Sequence, residues 1–371
     1  MEGNSLDTLE EVQRIVQECM FSNESEENAR LVKKCIQKAV FFKDKELEFE
    51  ARLAYIYQMN WLNYKDQSIA MFPWLLKAID TNEDVSWYNL HYVLWMYKWI
   101  IHELPDFAHI SIEKIETLLD DMDRRIQDRG CSDKMGNYFR MIVFGKMGHL
   151  DKSKEYRKRF EAGTSEKEEF DDCKACQPYN VVTTLFQEKE YELANTYFEP
   201  LLNKEVTCKE VPKTSFPIVA LMNRMLGKKD DAKQLAYLAK RNTPFKKKAY
   251  LSNAGYILMY YAMENDFIKG RDIIEKQLPF TNRKQPEQYQ FIFYSGCLLL
   301  IQAMKNAGKK KITINIDEES IFPVNEKNAI LLEDAFDIVE EKTNVLAQQL
   351  DKRNGNTFNQ DNKTYWLGYL K

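Results

Sequence analysis

Apolar and polar residues alternate along most of the chain with the period of an α-helix, in segments separated by short polar turns. From about residue 46 the segments come in pairs: an aromatic-rich first helix, a short charged turn, and a second helix that opens near a small residue. Residues 5–20 and 24–42 form a similar pair, with Ser22 or Asn23 as the predicted cap of the second segment. The pattern predicts a succession of antiparallel helical hairpins.

Small residues near the start of the second helices set the register of this repeat. The aligned positions are Ser68, Ser111, Ser153, Ala194, Ala232 and Gly270. They lie 38 to 43 residues apart, which is longer than the ~34 of tetratricopeptide (TPR) repeats and close to the ~40–47 of HEAT and armadillo repeats. A small side chain there lets the two helices approach closely, as in TPR hairpins. The spacing predicts an all-α fold, a right-handed superhelical solenoid of TPR-like helical hairpins.

The C-terminal part departs from the repeat. Residues 285–308 continue it with another first helix, and residues 327–351 predict a long amphipathic capping helix that ends at Asn354-Gly355. The segment 311–317 alternates and is rich in β-branched residues, but an isolated strand has no partner, so an ordered loop is expected. The predicted organisation is an N-terminal helical pair (1–44), TPR-like repeats (45–310), and a C-terminal extended segment with the capping helix (311–371).

Composition supports the helical interpretation and narrows the class of protein. The 13 glycines and 10 prolines are few for 371 residues, which favours long helices over a turn-rich β fold. A net charge of −4 argues against nucleic acid or an anionic membrane as the partner. The acidic start lacks the features of a signal peptide, and no stretch approaches ~18 consecutive apolar residues. Seven cysteines without a secretion signal are expected to be the reduced thiols of a cytoplasmic protein.

Four cysteines form the most specific candidate site. Cys173 and Cys176 begin a first helix and Cys208 follows the second helix of the same hairpin, so the return of the chain should bring all three to one end. Structural zinc takes four ligands, and a C-x-x-C pair often supplies two of them. Cys131, at the start of the preceding first helix, is the candidate fourth ligand, with Asp172 as its substitute. The alternatives to structural zinc are buried thiols that pack as small apolar groups, and a redox dithiol.

The first helices also carry residues suited to contact a bound chain. One face of the segment 86–104 is aromatic, and its members are Tyr88, Tyr92, Trp95 and Trp99. Such a face is either a wall for a peptide or partner helix, or ordinary packing between long hairpins. Asparagine amides can both donate to and accept from a peptide backbone. The polar candidates on first helices are Asn137, Tyr138, Asn180 and Asn253.

Three stretches carry a resemblance to a known family. They are the C-x-x-C hairpin with its third cysteine, the following VPKTSFPIVALMNRMLGKKDDA, and the late DKRNGN at 351–356. Over roughly residues 130–356 the chain resembles a family of bacterial tetratricopeptide-repeat proteins that share a C-x-x-C hairpin, a third cysteine before a proline and a terminal R-N-G turn. The resemblance implies a cytoplasmic helical-repeat scaffold, and it implies no particular chemistry.

The sequence contains none of the common enzymatic motifs. It has no Walker-type phosphate loop, no G-x-S-x-G and no H-E-x-x-H, and its four histidines are scattered. The expected function is therefore a non-catalytic helical-repeat scaffold that binds a protein or peptide partner, as an adaptor or regulatory subunit. Two alternatives stay open: a peptide-pheromone-type sensor, and a zinc-dependent or redox enzyme centred on the cysteines.

Overall fold

The computed structural model describes residues 6–81, 87–164, 166–281, 284–315, 321–323 and 328–370. The helices within them are α1 (Leu9–Phe21), α2 (Glu26–Phe42), α3 (Lys45–Trp61), α4 (Lys65–Thr81), α5 (Trp87–Glu103), α6 (Ile112–Gln127), α7 (Lys134–Lys146), α8 (Leu150–Ala162), α9 (Cys176–Gln187), α10 (Tyr191–Leu202), α11 (Phe216–Met225), α12 (Lys229–Asn242), α13 (Leu251–Met263), α14 (Phe267–Thr281), α15 (Glu287–Asn306), α16 (Leu332–Asn354) and α17 (Phe358–Gly368). The strands are β1 (Lys311–Thr313) and β2 (Ala329–Leu331). None of these helices is both long and apolar enough to cross a membrane.

Consecutive helices pack against each other as hairpins, which confirms the all-α helical-repeat fold. In one compact unit, Met1–Leu104 with Asp120–Gly130 (unit 1), α1 packs on α2 and α3 packs on α4. In the other, Pro105–Leu119 with Cys131–Lys371 (unit 2), the pairs are α7–α8, α9–α10, α11–α12, α13–α14 and α15–α16. First helices also pack on the first helices of neighbouring hairpins: α1 on α3, α7 on α9, α11 on α13, and α13 on α15.

Six first helices end in the same turn, built around one residue with a left-handed backbone. These residues are Asn63, Gly148, Lys189, Gly227, Asn265 and Gly308, with φ between 54° and 77°. The next residue donates its N–H to the carbonyl five positions back, as His149 does to Phe144 at 2.9 Å. This is the Schellman motif, which satisfies carbonyl groups at a helix end and reverses the chain. Its recurrence explains why the predicted turns at 148–153, 188–194, 227–232 and 264–270 all join helical pairs.

Five of the six aligned small residues occupy one structural place. They are the fourth residues of their second helices and are buried there: Ser68, Ser153, Ala194, Ala232 and Gly270. The prediction at Ser111 is wrong, because Ser111 precedes α6, is exposed, and accepts the Lys114 N–H at 3.3 Å. The fully buried fourth residue of α6 is Ile115. The register shifts because α5 continues into a short 3-10 helix, Leu104–Asp106, before a longer connection.

The first helices α13 and α15 cross with their backbones in contact. A Cβ atom on Gly255 would lie 2.3 Å from the carbonyl oxygen of Ile292, and one on Gly296 would lie 2.5 Å from the carbonyl oxygen of Gly255. Only glycine fits at such a crossing. This pair of glycines, which the sequence analysis did not single out, fixes the spacing of the two helices.

The cap of α2 differs from the prediction. Ser25, rather than Ser22 or Asn23, is the N-cap, and its hydroxyl accepts the Asn28 N–H at 3.0 Å. Ser22 instead accepts a hydrogen bond from the Asn28 side chain at 2.9 Å. The reason is positional, since a capping side chain reaches the third residue inside the helix and therefore must directly precede the first.

The extended segment after α15 is a strand and not a loop. β1 pairs antiparallel with β2, and Ile312 lies opposite Ile330. The part of the predicted segment at 316–317 lies outside the described residues, as does residue 327. The partner strand β2 immediately precedes α16 and lies within the segment predicted as the capping helix, so the sequence pattern does not separate the two. That helix is confirmed as α16, and Gly355, with φ 68°, ends it.

Candidate metal centre and partner-binding faces

Three cysteine thiols meet at one end of the α9–α10 hairpin. Cys176 is the first residue of α9, Cys173 lies in the turn before it, and Cys208 follows α10. Their sulfur atoms all lie within 4.8 Å of one another, and the Cys176 and Cys208 sulfurs are 3.7 Å apart. The structure thus confirms that the hairpin returns these cysteines to one place, in a group (the cysteine trio) close enough to hold a metal ion.

Backbone amides orient two of the three sulfurs. The Cys176 N–H donates to the Cys173 sulfur at 3.2 Å, and the Val211 N–H donates to the Cys208 sulfur at 3.4 Å. In both cases the donor is three residues beyond the cysteine. The Cys208 N–H in turn donates to the Val211 carbonyl at 2.9 Å, which closes the loop on itself. Hydrogen bonds of this kind fix the direction of the sulfur lone pairs.

The Cys176 thiol lies close to other ionisable groups. Burial raises the pKa of the Cys176 thiol, and the neighbouring Cys173 thiol, the Cys208 thiol and the Asp172 carboxylate raise it further. A cation among the sulfurs would oppose this shift, because it favours the thiolate form of its ligands. Cys173 is exposed, whereas Cys176 and Cys208 are half-buried, so the group borders solvent on the Cys173 side.

The two other predicted ligands are placed elsewhere. Cys131 lies outside the trio, beside a loop whose Glu168 carboxylate accepts the N–H of the neighbouring Ser132 at 2.9 Å. The Asp172 carboxylate accepts the Tyr138 hydroxyl at 3.0 Å. Among the described residues, the trio is the only group of three or more Cys, His, Asp or Glu side chains close enough to share an ion.

The polar residues predicted to contact a partner are interior instead. Asn137, Tyr138, Asn180 and Asn253 are all buried, at 9% exposure or less. The Asn180 amide donates to the Tyr138 hydroxyl at 2.8 Å, which extends the bond to Asp172 into a chain. The Asn253 amide donates to the Thr214 carbonyl at 2.6 Å. The bonds of Asn180 and Asn253 thus link neighbouring hairpins, α9 with α7 and α13 with the segment before α11.

In unit 2 a helix that the sequence analysis missed lies on the first helices. Trp366 of α17 stacks on Phe186 of α9, with ring centroids 6.0 Å apart and planes 14° apart. The Lys189 ammonium lies 3.8 Å from the centre of the Tyr365 ring. A small cavity under Trp366 is lined by Phe186, Tyr191, Tyr256, Phe291, Ile292 and Ser295. Polar residues dilute the aromatic signal of α17, which is why its helical pattern did not stand out.

The late R-N-G stretch anchors this helix. Asp351 accepts the N–H of Asn359 at 2.9 Å, the N–H of Gln360 at 3.0 Å and the Asn359 amide at 2.9 Å, so it caps α17. Arg353 donates to three backbone carbonyls of the segment 105–110. The Asn356 amide donates to the Met147 carbonyl at 2.9 Å, beside the turn after α7. The stretch therefore holds the C-terminus against unit 2.

In unit 1 the first helices α3 and α5 carry a cluster of aromatic rings. The Trp99 ring lies 5.9 Å from that of Trp61 and 6.3 Å from that of Tyr57, measured between centroids. The Lys98 ammonium lies 3.6 Å from the centre of the Trp95 ring. Tyr57, Trp61, Trp95 and Trp99 are all half-buried. The side chain of Tyr88, predicted on the same face, lies outside the described residues.

Comparison with known proteins adds no further assignment. No protein-family model matches the chain, and no curated protein matches it. The resemblance to bacterial tetratricopeptide-repeat proteins therefore stays a prediction.

Proposed function

We propose that the protein is a non-catalytic helical-repeat scaffold that binds a protein or peptide partner through first-helix aromatic residues. The observation that supports this most is α17. Its tryptophan stacks on a ring of a first helix, so a first-helix face of unit 2 already accommodates a helical segment. The half-buried rings of α3 and α5 offer the same chemistry to a segment from another molecule.

Aromatic rings suit this role because they supply large contact area with little loss of conformational freedom. Trp and Tyr are accordingly enriched among the residues that dominate binding energy at interfaces. Trp95 and Trp99 lie one helical turn apart on α5, and both are half-buried. The proposal assigns the partner contact to these two tryptophans.

The test begins with affinity capture from the native host and continues with direct titration of the captured partner. Replacing Trp95 and Trp99 with Ala together should weaken binding about tenfold or more. The matched control is Trp74→Ala, a half-buried tryptophan on the second helix α4 that packs under Arg52. Equal affinity of the double variant and the control would contradict the assignment.

A sensor of a short peptide, of the pheromone type, is the narrower form of the same proposal. The two forms differ in the size of the ligand. A sensor binds a short free peptide as tightly as it binds the protein segment that contains this peptide. Titration with peptides cut from the captured partner separates the two forms.

We further propose that the cysteine trio holds a zinc ion. Two thiolates each about 2.3 Å from a tetrahedral zinc lie about 3.8 Å apart, and the Cys176 and Cys208 sulfurs are separated by 3.7 Å. A cytoplasmic location belongs to the proposal, because a reducing compartment keeps thiols available for a metal. Metal analysis of the purified protein should give one zinc per chain, and Cys176→Ser should remove it. A metal-free protein purified without chelator would favour packing thiols instead.

A further inference from the structure

The cysteine trio provides three ligands where a closed zinc site needs four. Structural zinc sites are closed by four protein ligands, whereas sites with three leave one position for water or another molecule. No fourth Cys, His, Asp or Glu of the described residues joins the trio. The missing ligand is therefore a specific property of this site.

The two residues predicted from the sequence as a fourth ligand are already engaged. Cys131 lies in a segment held by the next loop, because the N–H of the adjacent Ser132 donates to the Glu168 carboxylate at 2.9 Å. The Asp172 carboxylate accepts the Tyr138 hydroxyl, and Tyr138 is itself held by Asn180 and fully buried. Recruiting either one would break hydrogen bonds that the fold makes.

The open side of the trio is accessible. Cys173 is exposed, whereas Cys176 and Cys208 are half-buried against the hairpin. An ion held by the three sulfurs would thus be covered by protein on the Cys176 and Cys208 side and would face solvent near Cys173. A donor atom from another molecule can approach there without unfolding of the hairpin.

We propose that a metal ion on the cysteine trio keeps one open coordination position, and that a Cys or His side chain of the binding partner fills it. This inference rests on the proposed scaffold function and names the chemistry of one partner contact. Thiolate and imidazole are the donors that suit zinc in a sulfur-rich site. Water occupies the position when the partner is absent.

Cobalt substitution tests the open position directly, without the partner. Cobalt(II) replaces zinc in the purified full-length chain, and its visible absorption reports the number and type of its ligands. Free imidazole then serves as the probe for the fourth position. We expect one cobalt per chain and a saturable shift of the visible bands on titration with imidazole. Cys208→Ser should lose at least about tenfold in cobalt affinity, because it removes a ligand.

Cys131→Ser is the matched control. We expect its cobalt spectrum and its imidazole response to equal those of the wild type. A wild-type spectrum that imidazole leaves unchanged would show a closed site and overturn the inference. A spectrum altered by Cys131→Ser would overturn it too, because Cys131 would then be the fourth ligand. Failure of the wild type to bind cobalt or zinc overturns the metal proposal but leaves the aromatic partner site, which the Trp95 and Trp99 variants test separately.

Discussion

The first-helix surfaces of the two units differ in what lies on them. In unit 2, α17 lies on first helices, with Trp366 buried to 7% exposure and stacked on Phe186. In unit 1, the rings of α3 and α5 are half-buried, with Trp61 and Trp99 packed edge to face. Both surfaces carry aromatic rings on first helices, Phe186 in unit 2 and Trp61 and Trp99 in unit 1. Similar repeat surfaces thus serve internal packing in one unit and, in our proposal, partner binding in the other.

Truncation of Trp366 in unit 2 and of Trp99 in unit 1 should give the largest difference in unfolding free energy between the two units. Trp366→Ala removes a buried ring and should lower the free energy of unfolding by about 3–5 kcal/mol. Trp99→Ala removes a ring that already contacts water, so we expect a loss below about 2 kcal/mol. Urea titration followed by circular dichroism measures both losses. Equal losses would mean that the two surfaces do not differ in the way described.

Gly148 and Gly227 have nearly the same left-handed backbone conformation, so Ala variants of the two test whether α17 contacts the turn after α7. A Cβ on Gly148 (φ 77°) would lie 2.2 Å from the Phe358 ring of α17, whereas one on Gly227 (φ 75°) meets no atom within 4 Å. Both Ala variants incur the left-handed penalty of about 1–2 kcal/mol. Gly148→Ala should lose a further ~1–3 kcal/mol through overpacking. Equal unfolding free energies of the two variants would remove this contact from the account.

Removing the Asp351 cap should speed amide exchange locally in α17. Asp351→Ala leaves the N–H groups of Asn359 and Gln360 without their acceptor, at a cost of about 2 kcal/mol. That cost corresponds to roughly thirtyfold faster amide exchange in α17, provided that the helix opens locally. Asp334→Ala, which removes an exposed carboxylate at the start of α16, is the control. Unchanged exchange in the Asp351 variant would show that other contacts hold the helix.

The smallest expected effect is a pH dependence of the unfolding free energy, and it arises from His149 in the turn after α7. Burial lowers the pKa of His149 below its usual value of 6.5, and the nearby Lys152 lowers it further, while the Asn354 backbone and Glu116 oppose the shift. Because the unfolded chain then binds the proton more readily, this contribution to stability is present above about pH 6.5 and is lost as pH falls below it. His149→Gln should reduce the difference in unfolding free energy between about pH 7.5 and pH 5.5. An unchanged difference would remove His149 as its source.

Local patterns predicted most of the fold. Five of the six small residues mark the buried fourth position of a second helix, because close helix packing constrains that position. The pattern failed at Ser111, where a 3-10 extension of α5 changes the connection. The expectation of a loop at β1 is wrong because its partner strand β2 lies 16 to 20 residues further along the chain. Long-range pairing of short strands leaves almost no local signal.

The candidate sites were predictable to different degrees. Hairpin return brings Cys173, Cys176 and Cys208 together, because that argument needs only two helices of similar length. The place of Cys131 depends on a loop that periodicity does not describe. The same holds for Asn180 and Asn253, whose helical phase and internal hydrogen bonds are fixed by packing between hairpins. Sequence pattern thus predicts contacts within a hairpin better than contacts between them.

The most direct test of the account compares both surfaces in one binding experiment. The captured partner is titrated calorimetrically against wild type, the Trp95 and Trp99 double Ala variant, and Trp366→Ala. The account predicts a loss of about tenfold or more for the double variant and wild-type affinity for Trp366→Ala. Tighter binding to Trp366→Ala, together with unchanged binding to the double variant, would contradict it, because the partner would then occupy the surface that α17 covers.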